Sequence, residues 1–211
     1  MSVTIFGKRY FITHTTELDL SYHNLTQIPP EIGQLINLRE LVLRGNQITQ
    51  IPPKLIKQLV HLQKLDLNRN QITKICSEIG QLCNLQHLNL SFNRITEICP
   101  EIAQLGNLEF LDLSNNQIAE ICTVICQLIN LQHLYLGDNQ INEICPQINQ
   151  LVNLKTLYLS CNYITKICPQ ITQLVNLQSL YLYGNYITEL SIINTMTIKY
   201  ISVENQKNSS Y

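Results

Sequence analysis

The chain has 211 residues, a length that fits one sizeable domain or two small ones, and 45% of them are hydrophobic, enough to bury a core. Charged residues make up only 14%, against about 25% in an ordinary soluble domain, and Asn, Gln, Ser and Thr supply the missing polarity. A formal net charge of -1 leaves no basic excess for nucleic acid or for an anionic membrane surface, and no apolar run reaches the ~18 residues of a spanning helix.

Residues 1–14 come first and read as an N-terminal cap segment. They contain no uninterrupted apolar stretch of signal-peptide length, so the chain is expected to be soluble and not secreted. From 15 to 190 the pattern LxxLxLxxNxIxxI recurs eight times. A degenerate copy at Thr15 has Leu18, Leu20, Leu25 and Ile28 in the apolar slots and His23 in place of the Asn. Full copies begin at Leu38, Leu62, Leu85, Leu108, Leu131, Leu154 and Leu177, spaced 24 and then 23 residues apart, with the extra residue falling within 55–59. Ile198, Ile201 and Val203 repeat the first three apolar spacings, so residues 191–203 are expected to form a C-terminal capping strand. The polar segment 204–211 is expected to fray.

Each repeat reads as one strand followed by a turn and a return. In Leu108 to Leu113 the end of the segment alternates, so Leu111 and Leu113 face one way while Phe110 and Asp112 face the other. One strand per repeat implies a parallel stack. About seven aliphatic slots at ~1.5–3 kcal/mol each do not offset ~1–2 kcal/mol of backbone entropy per residue over a whole repeat, so a repeat is stable only when stacked. The column Asn46, Asn70, Asn93, Asn116, Asn139, Asn162 and Asn185 is structural: an amide brings both donor and acceptor to the buried backbone of the turn. Pro30 with Glu31, and Pro100 with Glu101, mark starts of short helices, some of them 3₁₀, on the opposite side. Asn37, Asn84, Asn107, Asn130, Asn153 and Asn176 mark the return to the next strand.

These eight in-phase copies resemble the leucine-rich repeat family over residues 15 to 203. The resemblance implies an α/β fold, a right-handed horseshoe solenoid with a parallel concave sheet and short convex helices or 3₁₀ turns. The stretch IPPEIGQLINLRELVLRGNQIT, Ile28 to Thr49, is similar to the 23-residue class of intracellular scaffolds that bind Ras-type GTPases. The Ile- and Asn-rich copies, little diverged, are also similar to leucine-rich repeat proteins of amoeba-infecting giant viruses.

Of the eight cysteines, Cys76, Cys99, Cys122, Cys145 and Cys168 share one slot, which Pro29 and Pro52 fill in earlier repeats. Pairing along a column of five leaves one over. Secreted members of the family carry cysteine-rich caps, and neither 1–14 nor 191–211 contains Cys, so a cytoplasmic, reducing setting is expected. The leading reading is a small buried hydrophobe copied with the repeat, beside an oxidation-sensitive ladder and a soft-metal site. A metal site needs a tetrahedral cluster and not a row, and none is assigned. Cys83 and Cys126 fall on the convex side without pattern. Cys161 lacks a base within the ~3 Å a nucleophile needs, because His133 should neighbour Phe110 and Thr156 instead. With no phosphate loop, HExxH or converging carboxylates, no catalysis, cofactor or small-molecule substrate is expected.

Function must then lie in the outward strand residues. The middle outward column reads Asp19, Val42, Asp66, Asn89, Asp112, Tyr135, Tyr158, Tyr181, Ser202. With Tyr183, Tyr200, Phe92, Phe110, His87 and His133 it forms an aromatic surface over the last rungs. Tyr163 and Tyr186 rim it. Tyrosine is enriched at interfaces because a large ring carries a polar tip; cross-strand stacking, ~0.2–1 kcal/mol per pair, is the competing and compatible reading. Charge also divides: ten Lys or Arg against six acids up to Arg94, then seven acids and no Lys or Arg from Ile95 to Leu154. Glu109, Asp112 and Asp138 are the concave acids. The expected function is binding an unidentified protein partner as an intracellular adaptor or regulator, with a structural, self-assembling component as the alternative.

Overall fold

The computed structural model describes residues 1–121 and 123–203; Cys122 of the cysteine column and the segment 204–211 lie outside them. Two antiparallel strands, β1 (Ser2–Ile5) and β2 (Lys8–Phe11), open the chain. Phe6 and Gly7 join them with φ of 49° and 76°, the pair of left-handed residues that a tight hairpin turn requires. Val3 and Ile5 are buried and close the N-terminal end of the core, so the segment read only as a cap is a hairpin laid over the first rung.

Among the described residues nine short strands follow in one parallel sheet: β3 (Glu17–Asp19), β4 (Glu40–Val42), β5 (Lys64–Asp66), β6 (His87–Asn89), β7 (Phe110–Asp112), β8 (His133–Tyr135), β9 (Thr156–Tyr158), β10 (Ser179–Tyr181) and β11 (Tyr200–Ser202). Strand order is sequence order, and the register is the repeat itself: Leu111 pairs with Leu134, Leu134 with Leu157, Leu157 with Leu180. The central residue of each strand from β4 to β10 is a buried Leu, and its two neighbours point out. The rungs stay bonded past the strand, as from the Leu113 N–H to the Tyr135 carbonyl at 2.9 Å.

The chain then turns inward over the Asn column. Asn116 is typical. Its Oδ1 accepts the Ile95 N–H at 2.9 Å, and its Nδ2 donates to the carbonyls of Leu90 and Leu113, each at 3.0 Å. One amide therefore ties its own turn to the preceding rung, and the same set recurs from Asn46 to Asn185. The residue before each of these Asn lies in the left-handed region, at Gly45, Arg69, Phe92, Asn115, Asp138, Cys161 and Gly184, as does Tyr22 before His23. Left-handed backbone is unusual for Arg, Phe and Cys, and the bonds on either side of the corner hold it there.

The convex side is built of 3₁₀ turns such as Pro30–Gln34, Ser77–Gln81 and Pro100–Gln104. The one α-helical turn among the described residues, α1 (Pro53–Ile56), belongs to the 24-residue repeat. Its additional residue lengthens the turn to bonds from Ile56 N–H to Pro52 O and from Lys57 N–H to Pro53 O, the four-residue step of an α-helix. The return is pinned by the second Asn column; Asn107 Nδ2 donates to the Cys83 carbonyl at 2.8 Å and Asn130 to Gly106 at 2.7 Å. A single aliphatic core runs from Val3 to Ile193, and Ile198, Ile201 and Val203 pack half-buried against its far end. No helix of the described residues is long and apolar enough to cross a membrane.

Candidate protein-binding face

The last outward residue of β3, β5, β6 and β7 has a local task; β4 carries Val42 in that slot. Asp19, Asp66, Asn89 and Asp112 each accept, through Oδ1, the backbone N–H two residues on, at 2.8–3.0 Å. A short acceptor at this slot caps the strand exit, as in an Asx turn. These bonds hold the Asp19 carboxyl below its usual range, with the Ser21 hydroxyl the largest cause and the Ser21 N–H next. Asp112, read from the sequence as a binding residue, is thus engaged within its own turn.

From β8 to β10 the slot is Tyr, which cannot make that bond, and rings take over. His87 stacks on Phe110 with centroids 4.0 Å apart and an interplanar angle of 7°. Phe110 meets Tyr135 at 5.3 Å, Tyr135 meets Tyr158 at 6.1 Å, Tyr158 meets Tyr181 at 5.1 Å, and Tyr181 meets Tyr200 at 5.0 Å. Six rings on six consecutive strands form one row. It does not follow a single column: it starts in the first outward slot, crosses to the third between β7 and β8, and returns to the first on β11.

Most rings of the row are half-buried, while Tyr200 at its end is 50% exposed. Gly137 makes room inside it, since a Cβ there would sit 2.3 Å from Cε1 of Tyr158. Sequence reading passed over Gly137; the available signal was Gly where neighbouring repeats carry Ser91, Ser114 and Ser160. His133 flanks the row, 6.4 Å from Phe110, with Nδ1 3.1 Å from the Thr156 hydroxyl. Phe92 stands apart: it is 45% exposed on its left-handed corner and takes Arg69 over its ring at 5.0 Å. Tyr183 is exposed just past β10 and makes no ring contact with the row among the described residues. Tyr163 and Tyr186 stack on each other, 6.0 Å apart.

Electrostatics follow burial. Burial first, and the nearby Lys64 second, hold the His87 imidazole below its usual value; burial and Lys155 do the same for His133. Burial, then Asp112, push the Tyr135 phenol up. Both imidazoles are therefore biased to the neutral form, and His87 stacks on its neighbouring ring. Beside the N-terminal ends of β7 to β10 runs a polar groove of about 380 Å³ lined by Asn107, Glu109, Asn130, Gln132, Asn153 and Lys155. Gln132 bridges its charges, donating to Glu109 at 3.0 Å and accepting from Lys155 at 2.7 Å. Among the described residues no cluster of three or more His, Cys, Asp or Glu is placed to hold a metal ion.

Comparison with known proteins fits this geometry. A model described as leucine rich repeat matches residues 13–78, 83–141 and 152–193, and a second, for two copies of the repeat, matches 129–172. No curated protein matches the chain by sequence. Among solved structures, a leucine-rich repeat protein of Leptospira interrogans is 34% identical over 86% of this chain and 54% of its own, with a TM-score of 0.73. The plant peptide hormone receptor RGFR1, solved in complex with RGF2, is 30% identical over 83% of this chain and 30% of its own, at 0.74. An internalin C2 of Listeria monocytogenes is 28% identical over 89% and 80%, at 0.77. The chain thus spans about half the length of the Leptospira protein and less than a third of the plant receptor. With the family model covering most of its length and each rung closed by the same Asn and Leu slots, the chain belongs to the leucine-rich repeat family.

Proposed function

We propose that this chain is a non-catalytic module that binds a protein partner on its concave face, centred on Tyr135, Tyr158 and Tyr181. Phe110, Tyr200 and His133 extend that centre, and Asp112, Tyr183 and Phe92 stand at its rim. Leucine-rich repeat proteins generally mediate protein–protein interaction, and the fold is typically a binding scaffold. The observation that carries the reading is the ring row. Its members lie outside the aliphatic core, yet six are continuous over six strands. Nine strands at ~4.8 Å spacing give a face ~40 Å long, adequate for the ~800 Å² per partner of a standard interface.

The finer reading is an intracellular adaptor or regulator acting on a Ras-type GTPase, supported by the segment Ile28 to Thr49. The intracellular setting is supported by the odd column of five thiols. The likeness to giant-virus proteins concerns origin and carries no partner. The test presents the immobilised chain to purified Ras-type GTPases in both nucleotide states, with Tyr158→Ala and Tyr181→Ala as controls. Each substitution is expected to weaken capture by ~2 kcal/mol or more, the size of a central aromatic hot spot. Capture that survives both substitutions and is lost on changing convex Glu97 or Glu120 would move the interface to the other side.

A further inference from the structure

Of the two convex cysteines that show no pattern in sequence, Cys126 has a specific neighbour. At several rungs the residue after the first buried aliphatic of the convex turn faces the next rung. A Cβ at Gly80 would sit 2.7 Å from the Glu101 carbonyl, and Asn149 in the same slot donates to Gln173 at 2.7 Å. Small residues hold the slot in three of the four earlier repeats, as Gly33, Gly80 and Ala103, with Ile56 in the other; in the fifth it is Cys126. Cys126 is fully buried, and its Sγ lies 3.4 Å from Sγ of Cys145, which starts the following turn. Cys126 lies four residues past the column slot of its own rung and Cys145 in the column slot of the next rung, so no spacing within the cysteine column pairs them.

The environments of the two sulfurs differ. Cys145 is partly buried, whereas Cys126 is fully buried. Burial raises the thiols of Cys76 and Cys168, and that of Cys99 to about 11. Cys145 goes the other way, held below its ordinary value chiefly by the hydrogen bond with Cys126. A thiolate is the reactive form, and sulfenic acids condense with a neighbouring thiol.

We propose that Cys126 and Cys145 form a hydroperoxide-responsive thiol pair that closes reversibly to a disulfide. The Cys145 thiolate attacks the distal peroxide oxygen; an S–O bond forms, the O–O bond breaks, and the departing alkoxide or hydroxide takes a proton from water. Cys126 then attacks the sulfenic sulfur, the S–S bond forms, the S–O bond breaks, and the hydroxyl leaves as water with the Cys126 proton. Two thiols are oxidised, one peroxide is reduced, and a dithiol reverses the change. Closing requires the sulfurs to approach from 3.4 Å to ~2.05 Å. The bridge would clamp the segment between them, which includes β8 with His133 and Tyr135 on the concave side.

The test treats the full, folded, reduced chain with hydrogen peroxide, blocks remaining thiols by alkylation and maps the links by mass spectrometry. No Lys or Arg lies between Ile95 and Leu154, so cleavage is at Glu, and fragmentation of linked peptides separates Cys122 from Cys126 and Cys145 from Cys168. Expected are the loss of two of the eight thiols, a Cys126–Cys145 link within one chain, and recovery of both thiols with dithiothreitol. In Cys126→Ala, which copies Ala103 of the preceding repeat, Cys145 should stop at a sulfenic acid trapped by dimedone. In Cys145→Ser, Cys126 should remain unreacted. An unchanged thiol count in the unsubstituted chain, over-oxidation of Cys145 without a link, or a link that maps to Cys122 or Cys168 overturns the proposal.

Discussion

Asn116 shows how much one side chain carries here. Replacing it with Ala removes the acceptor for a buried N–H and the donor for two buried carbonyls. Each buried group left unpaired costs about 1–3 kcal/mol, so Asn116→Ala is expected to lower the unfolding free energy by about 3 kcal/mol or more in urea. Asn107 makes one exposed bond, and Asn107→Ala should cost less than about 1 kcal/mol. Equal losses would mean that the inner column does no more than the outer. A second residue-scale expectation concerns His87, whose folded imidazole sits below the usual 6.5. The unfolded chain then binds more protons between the two values, so stability rises with pH there. It is complete above 6.5 and is lost as pH falls through that value toward the lower folded one. Unfolding followed from pH 8 to 5 should show this slope in the native chain and a shallower one in His87→Gln. Both Asn columns were legible from spacing alone. The left-handed corners at Arg69, Phe92 and Cys161 were not, because those residue types carry no preference for that backbone and bonds from neighbouring rungs impose it.

A strand of this sheet separates two kinds of side chain within three residues. In β9, Leu157 is fully buried between rungs, while Tyr158 lies outward in the ring row. Leu157→Ala is expected to cost about 2–5 kcal/mol through the cavity it leaves. Tyr158→Ala should cost less stability, about 0.4–2 kcal/mol if each of its two lost ring contacts contributes ~0.2–1 kcal/mol. Chemical unfolding of the two variants checks the order; a larger loss at Tyr158 would make the row a structural spine. The alternation that sorts these residues was readable in sequence. The path of the row was not: the step from Phe110 to Tyr135 crosses slots, and a diagonal contact depends on ring rotamers and on the offset between twisted neighbouring strands.

A solenoid has ends, and its stability is a sum over neighbouring rungs. The first rung is covered by Val3 and Ile5 of the hairpin, both buried. The last is covered by Ile198, Ile201 and Val203, only half-buried, on a β11 that pairs with β10 on one side. An unpaired strand edge over an apolar core is a template for association. Ending the chain after Leu190 is therefore expected to uncover Leu180 and Leu182 and to produce concentration-dependent light scattering and a lower Tm. A truncated protein as soluble and heat-stable as the full chain would assign the capping of this end elsewhere.

Slot identity along one rung follows from the sequence, because a strand alternates with period two and a solenoid repeats with period 23. Stacking then brings equal slots together whatever occupies them. That logic was enough for the parallel sheet, the buried Leu and Ile slots, the Asn columns and the outward position of the tyrosines. Contacts between unequal slots depend instead on pitch, twist and rotamer, which no column of a repeat alignment contains. The folded arrangement alone engages Asp112 in its own turn, sets Arg69 over Phe92, seats Tyr158 over Gly137 and brings Cys126 to Cys145. The α-turn of the 24-residue repeat has the same origin: the sequence located the additional residue, and the space between neighbouring convex turns decided that it would lengthen a helix and leave the strands in register.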